Sequence, residues 1–163
     1  MNTVTATFKN YSAAQHSLLT LESNGFSEEQ ISVLVADKSK GKSFDIIEAT
    51  KVPEGAAVGG VAGGIIGAIA AGLTTVGSLV APGIGVLAVG PIVGAFAGGA
   101  AGAATGSLIG ALIGFGIPEH EARRYEDEIK NGAVLVAVGT NSHEDAQLVK
   151  NIFIGEDAHN IAA

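Results

Sequence analysis

Residues 90–116 read GPIVGAFAGGAAGAATGSLIGALIGFG, and within them Gly90, Gly94, Gly98, Gly102, Gly106, Gly110 and Gly114 recur at every fourth position. On a helix of about 3.6 residues per turn that spacing lays the seven along one slowly drifting face, where a second backbone can come very close. The stretch belongs to a longer run, Gly55 to Pro118, of 64 residues without a charged side chain or histidine, which holds 19 of the chain's 24 glycines. The rest of the chain lies on either side of this block.

The block divides into two arms. The first, Glu54 to about Thr74, carries Gly55, Gly59, Gly63 and Gly67 on one fourfold track and Gly60 and Gly64 on a neighbouring one; the second runs from about Pro91 to Gly116. Between them a turn is expected at Pro82-Gly83, so that residues 53–117 form a glycine-zipper helical hairpin. Each glycine costs about 1 kcal/mol of helix stability relative to alanine in water, so close packing or a bilayer must compensate. A bilayer does so by making unsatisfied backbone groups expensive. At about 1.5 Å per residue the arms would be roughly 31 and 39 Å long, against a hydrocarbon core of about 30 Å. A hairpin keeps both flanks on one side, and the neighbouring Lys38, Lys40, Lys42, Lys51, Arg123 and Arg124 favour the cytoplasmic side. The same pattern also suits hairpins buried in the protein core of a soluble homo-oligomer, a ring, shell or filament. A pore is disfavoured, because neither arm carries a charged or strongly polar lining residue.

The flanks read as one α/β domain in two halves, residues 1–52 and 118–163. Thr3–Phe8 alternates β-formers, Ser12 can cap a helix that stops at Asn24-Gly25, and Ile31–Ala36 (ISVLVA) is a buried strand. Ser43–Thr50 fits a hairpin strand or a short helix equally well. Pro118 suits the first turn of a charged helix ending near Asn131-Gly132, Ala133–Gly139 (AVLVAVG) is strand-like, and Ser142 caps a last helix to about Ile154. The end, GEDAHNIAA, reads as a loose tail. Together these elements predict an α+β fold: a small ferredoxin-like α/β sandwich split by the hairpin.

The net charge of −7, with only nine Lys and Arg, argues against a nucleic-acid partner. Absence of cysteine excludes disulfides and thiolate chemistry. The first residues lack the basic and apolar regions of a secretory signal and are expected to belong to the fold. Gly83-Ile84-Gly85-Val86-Leu87-Ala88 matches G-x-G-x-x-A superficially, but it follows a proline turn and no acid stands about 20 residues on, so no dinucleotide site is read there. Gly41-Lys42-Ser43 lacks the spacing of a phosphate loop. Glu119, His120 and Glu121 open a helix whose dipole already accounts for the acids, so no metal is assigned, and the scattered histidines suggest no triad. Arg123 and Arg124 could touch lipid headgroups, although the spacings Glu119 to Arg123 and Glu126 to Lys130 favour pairing along the helix. No catalytic residue and no cofactor emerges.

Pro53-Glu54-Gly55-Ala56 at the first arm, Pro82-Gly83-Ile84-Gly85 at the break, and Gly116-Ile117-Pro118-Glu119 leading through Glu121, Ala122, Tyr125 and Glu126 into AVLVAVG resemble bacterial general stress or low-temperature-induced proteins with a glycine-zipper centre. The resemblance covers nearly the whole chain and implies a stress-associated, membrane-linked protein with a small α/β domain. It supplies no catalytic residue. The expectation is a non-enzymatic, self-associating protein that works by helix packing in or on a bilayer. Replacing Gly102, central in the second arm, by leucine should then lower both oligomer size and recovery in the membrane fraction; unchanged values of both would remove the zipper role.

Overall fold

A computed structural model of the chain describes residues 2–36, 86–91, 108–114 and 117–162. The elements are β1 (Asn2–Phe8), α1 (Tyr11–Ser23), a 3-10 turn at Glu28–Gln30, β2 (Ile31–Ala36), β3 (Val86–Val89), α2 (Leu108–Gly114), α3 (Glu119–Lys130), β4 (Val134–Thr140), α4 (His143–Gly155) and β5 (His159–Ala162). The fold is α+β. Ser43–Thr50, the first arm and the Pro82-Gly83 turn lie outside the described residues.

The strands form one sheet in the order β3-β2-β4-β1-β5, with every neighbouring pair antiparallel. β4 lies between β1 and β2. It pairs with β1 from Asn2↔Thr140 to Phe8↔Val134, and with β2 from Ile31↔Val138 to Leu34↔Leu135. β1 and β2 are therefore parallel and never touch through backbone hydrogen bonds.

Strand alternation sends side chains to two faces. On one, Val4, Ala6 and Phe8, Ile31, Val33 and Val35, and Val134, Val136 and Val138 meet the apolar stripes of α1 (Ala14, Leu18, Leu21) and α4 (Ala146, Val149, Ile152, Phe153). Phe8 and Phe153 stack edge to face, 5.6 Å between ring centres at 82°; each buried ring contributes about 1.5–3 kcal/mol of transfer free energy. On the other face, Leu34, Ala36, Leu135 and Ala88 of β3 pack against Leu108 and Leu112 of α2, Ile117, and Ala122, Tyr125 and Ile129 of α3. Helices thus cover both faces, whereas a two-layered ferredoxin-like sandwich has them on one.

Several boundaries differ from expectation. Asn10, not Ser12, caps α1: its carboxamide oxygen accepts from the Ala13 amide at 2.9 Å, so the helix starts two residues earlier than Ser12 would allow. Ser142 caps α4 as expected, accepting from Asp145 N. The final segment is not a loose tail. Ala158 N reaches back to Phe153 O at 3.0 Å, Asp157 adopts φ 53°, and the chain reverses into β5 beside β1. Asp157 fills the left-handed position where a glycine would have announced the turn.

The uncharged block also enters the domain. Val86–Val89, inside the expected connector and overlapping the G-x-G-x-x-A match, is the edge strand β3. Gly90, expected to start the helical glycine track, instead ends this strand at φ +90°. A Cβ there would lie 2.2 Å from the Ile31 carbonyl oxygen and 2.9 Å from Ser32 Cα. Gly90→Ala should therefore cost more than about 2 kcal/mol, read as a lower urea midpoint at unchanged m value.

Candidate functional site

β1 turns Thr3, Thr5 and Thr7 toward the second face, and Thr5 and Thr7 are almost fully buried, so their hydroxyls need partners inside the protein. α3 and β5 supply them. The buried stripe of α3 brings Tyr125 over β1, where its phenol lies 3.0 Å from Thr5 Oγ1 and donates to the Asn160 carbonyl at 2.8 Å. Because the phenol has one proton, Thr5 must be the donor in its pair. Thr7 Oγ1 in turn donates to the His159 carbonyl at 3.2 Å.

Asn160 is the centre of this cluster. Its φ of 50° interrupts the β5 pairing, whose register shifts between Thr5 and Thr7, and turns its side chain inward. The carboxamide nitrogen donates to Glu128 Oε1 and to Thr7 Oγ1 (3.4 Å), and its oxygen accepts from Arg124 Nη1 at 3.1 Å. One residue thereby joins β5, α3 and β1.

Beside the cluster opens a cavity of about 460 Å³ lined by Thr7, Phe8, Lys9, Glu128, Asn131, Ala133, His159 and Asn160. It lies at the C-terminal end of α3, where Gly132 (φ +98°) lets Ala133 N reach Glu128 O and closes the helix. Chemically the cluster is built to hold and orient polar groups. Among the described residues no three His, Asp or Glu side chains converge as a metal site.

The residues singled out from sequence fare differently. Gly55, Gly59, Gly63, Gly67, Pro82, Gly83, Gly94, Gly98, Gly102 and Gly106 lie outside the described residues. Gly110 is half-buried and Gly114 exposed on α2, about 200° around the helix from Leu108 and Leu112, which face the sheet. Gly90 is in the strand end described above. Arg123 pairs with Glu119 at 2.6 Å and Lys130 with Glu126 at 3.1 Å, the two expected helical pairs. The Glu119 hydrogen bond and charge raise the Arg123 pKa further. Arg124 turns to Asn160. The Tyr125–Asn160 cluster was not visible in sequence, where Thr5 and Tyr125 are 120 residues apart. The alternating Thr3, Thr5, Thr7 was its one signal: a polar face on a strand that the fold buries.

Burial pushes the Tyr125 phenol up to about 12, opposed by the Thr5 hydrogen bond and reinforced by Glu121 and Glu128. The folded protein then holds this proton where the unfolded chain, near pKa 10, has lost it. Stability contributed by the neutral phenol is complete below pH 10 and is lost as pH rises from about 10 to 12. Tyr125→Phe should flatten this step in the denaturation midpoint measured against pH. It should also cost about 1–3 kcal/mol at neutral pH, because Thr5 and the Asn160 carbonyl lose their partner.

No curated protein and no solved structure matches the chain. The family model described as the heat induced stress protein YflT domain matches residues 3–85, just over half of the sequence. The matched residues include nearly all of β1, together with α1 and β2, the three elements that frame the central strand. On this match, which agrees with the resemblance to bacterial general stress proteins, the chain belongs to the heat-induced stress protein YflT family.

Proposed function

We propose that this stress-family protein is non-enzymatic and self-associating, and that its uncharged glycine run packs against other copies in or on a bilayer, with both termini on the cytoplasmic side. The observation that carries the reading is the run itself, 64 residues without charge set inside a domain that is otherwise charged. A segment of this composition gains little from water and much from close backbone contact. The placement of Gly110 and Gly114 on the side of α2 away from Leu108 and Leu112 supports it, since those two leucines face the sheet.

The docking of the block's ends favours a second reading, a soluble homo-oligomer with the glycine segments buried between copies. Residues 86–91 and 108–114 belong to the described domain, where β3 pairs with β2 and Leu108 and Leu112 join the second core, which leaves the second arm only the stretch between them as one uninterrupted span. The 16 residues between them would reach only about 24 Å as a helix, short of a hydrocarbon core of about 30 Å. Among the described residues no helix is long and apolar enough to cross a membrane. In either reading the contacts are made by packing, and no nucleic acid or cofactor takes part.

Alkaline carbonate extraction of native membranes, followed by detergent-free sizing of the soluble fraction, separates these outcomes. Retention in the pellet is the expected result. A discrete soluble particle would replace the bilayer with a protein core, and a detergent-free monomer would overturn self-association altogether.

A further inference from the structure

The cavity at the end of α3 contains polar groups that the fold does not use. Asn160 and Thr7 spend their hydrogen-bonding capacity on Glu128, Arg124 and the His159 carbonyl. By contrast, Lys9, the Asn131 carboxamide and the His159 ring, all exposed and all lining the cavity, make no side-chain hydrogen bond or ion pair among the described residues, where Glu128 uses only Oε1. Lys9 projects from the end of β1 and Glu128 from the last turn of α3, so a cation and an anion border one space without pairing with each other.

The geometry points to a binding site for a small zwitterion of the amino acid or betaine class. Its carboxylate would meet Lys9, with the His159 ring and the Asn131 amide as further donors. Its ammonium would meet the free oxygen of Glu128 at the negative end of the α3 dipole. A purely anionic ligand would face the Glu128 carboxylate, and a purely cationic one the Lys9 ammonium. The volume, about 460 Å³, lies at the small end of the range for ligand sites. The buried Thr7 and Phe8 and the Asn160 cluster keep the walls rigid, so little ordering is needed on binding.

Equilibrium dialysis of the full-length chain against radiolabelled proline, glutamate and glycine betaine tests this site. Saturable retention of at least one probe is expected, displaced by unlabelled zwitterions but not by acetate, methylammonium or glycerol. Lys9→Gln should weaken it at least tenfold. Lys9 is exposed and without a partner among the described residues, so that variant should keep the thermal transition of the parent chain. Glu128→Gln, whose amide oxygen can still accept from Asn160, should weaken it similarly. Hydrogen exchange in β5 should slow when the retained probe is present. Failure to retain any of the three probes, equal displacement by acetate or glycerol, or unchanged retention by Lys9→Gln would each overturn the assignment.

Discussion

The central position of β4 is the constraint on which the rest depends. β1 and β2 are formed within the first 36 residues, yet they do not pair with each other, and β4, the strand that joins them, begins nearly a hundred residues after β2 ends. Backbone amides and carbonyls buried in a sheet must be paired, so neither half of the chain can satisfy its own strands. The long loop this closure requires costs only a few kcal/mol of extra chain entropy, because the cost grows logarithmically with length. A large insertion between β2 and β4 is therefore compatible with a stable domain.

Once β4 is in place, the chemistry of the two faces diverges. The face under α1 and α4 is mostly apolar and is held by burial. The face under α3 is largely apolar beneath β2 and β4 but hydroxylic beneath β1, and the Tyr125 phenol, the Asn160 amide and the Glu128 carboxylate answer the hydroxyls of β1. Polar clusters of this kind fix position more strictly than apolar packing, since displacement leaves a buried group unpaired. β5, short and irregular as an edge strand, is located by that cluster more than by its own ladder.

The glycine-rich block has two characters. At β3 and α2 it is part of the domain, with Ala88, Leu108 and Leu112 in the second core and Gly90 pressed against the Ile31 carbonyl. A fourfold glycine spacing describes a helix well, but it cannot mark where the helix begins. Gly90 satisfies the spacing and is nonetheless needed for a close strand contact at positive φ.

The sequence by itself determined the α+β class, the existence and approximate limits of β1, α1, β2, α3, β4 and α4, and the helical ion pairs of α3. Each follows from local periodicity, caps and short-range spacing. The tertiary structure alone decided what depends on contacts between distant residues. The order of the strands was decided there, because pairing is set by which edges meet and not by any one strand's composition. β5 was hidden because Asp157 makes a turn that glycine usually signals, and β3 because a short apolar run next to glycines resembles the arms around it. The Tyr125–Asn160 cluster and its cavity exist only where α3, β1 and β5 converge, and hydrogen bonds across such separations leave no mark on spacing along the chain.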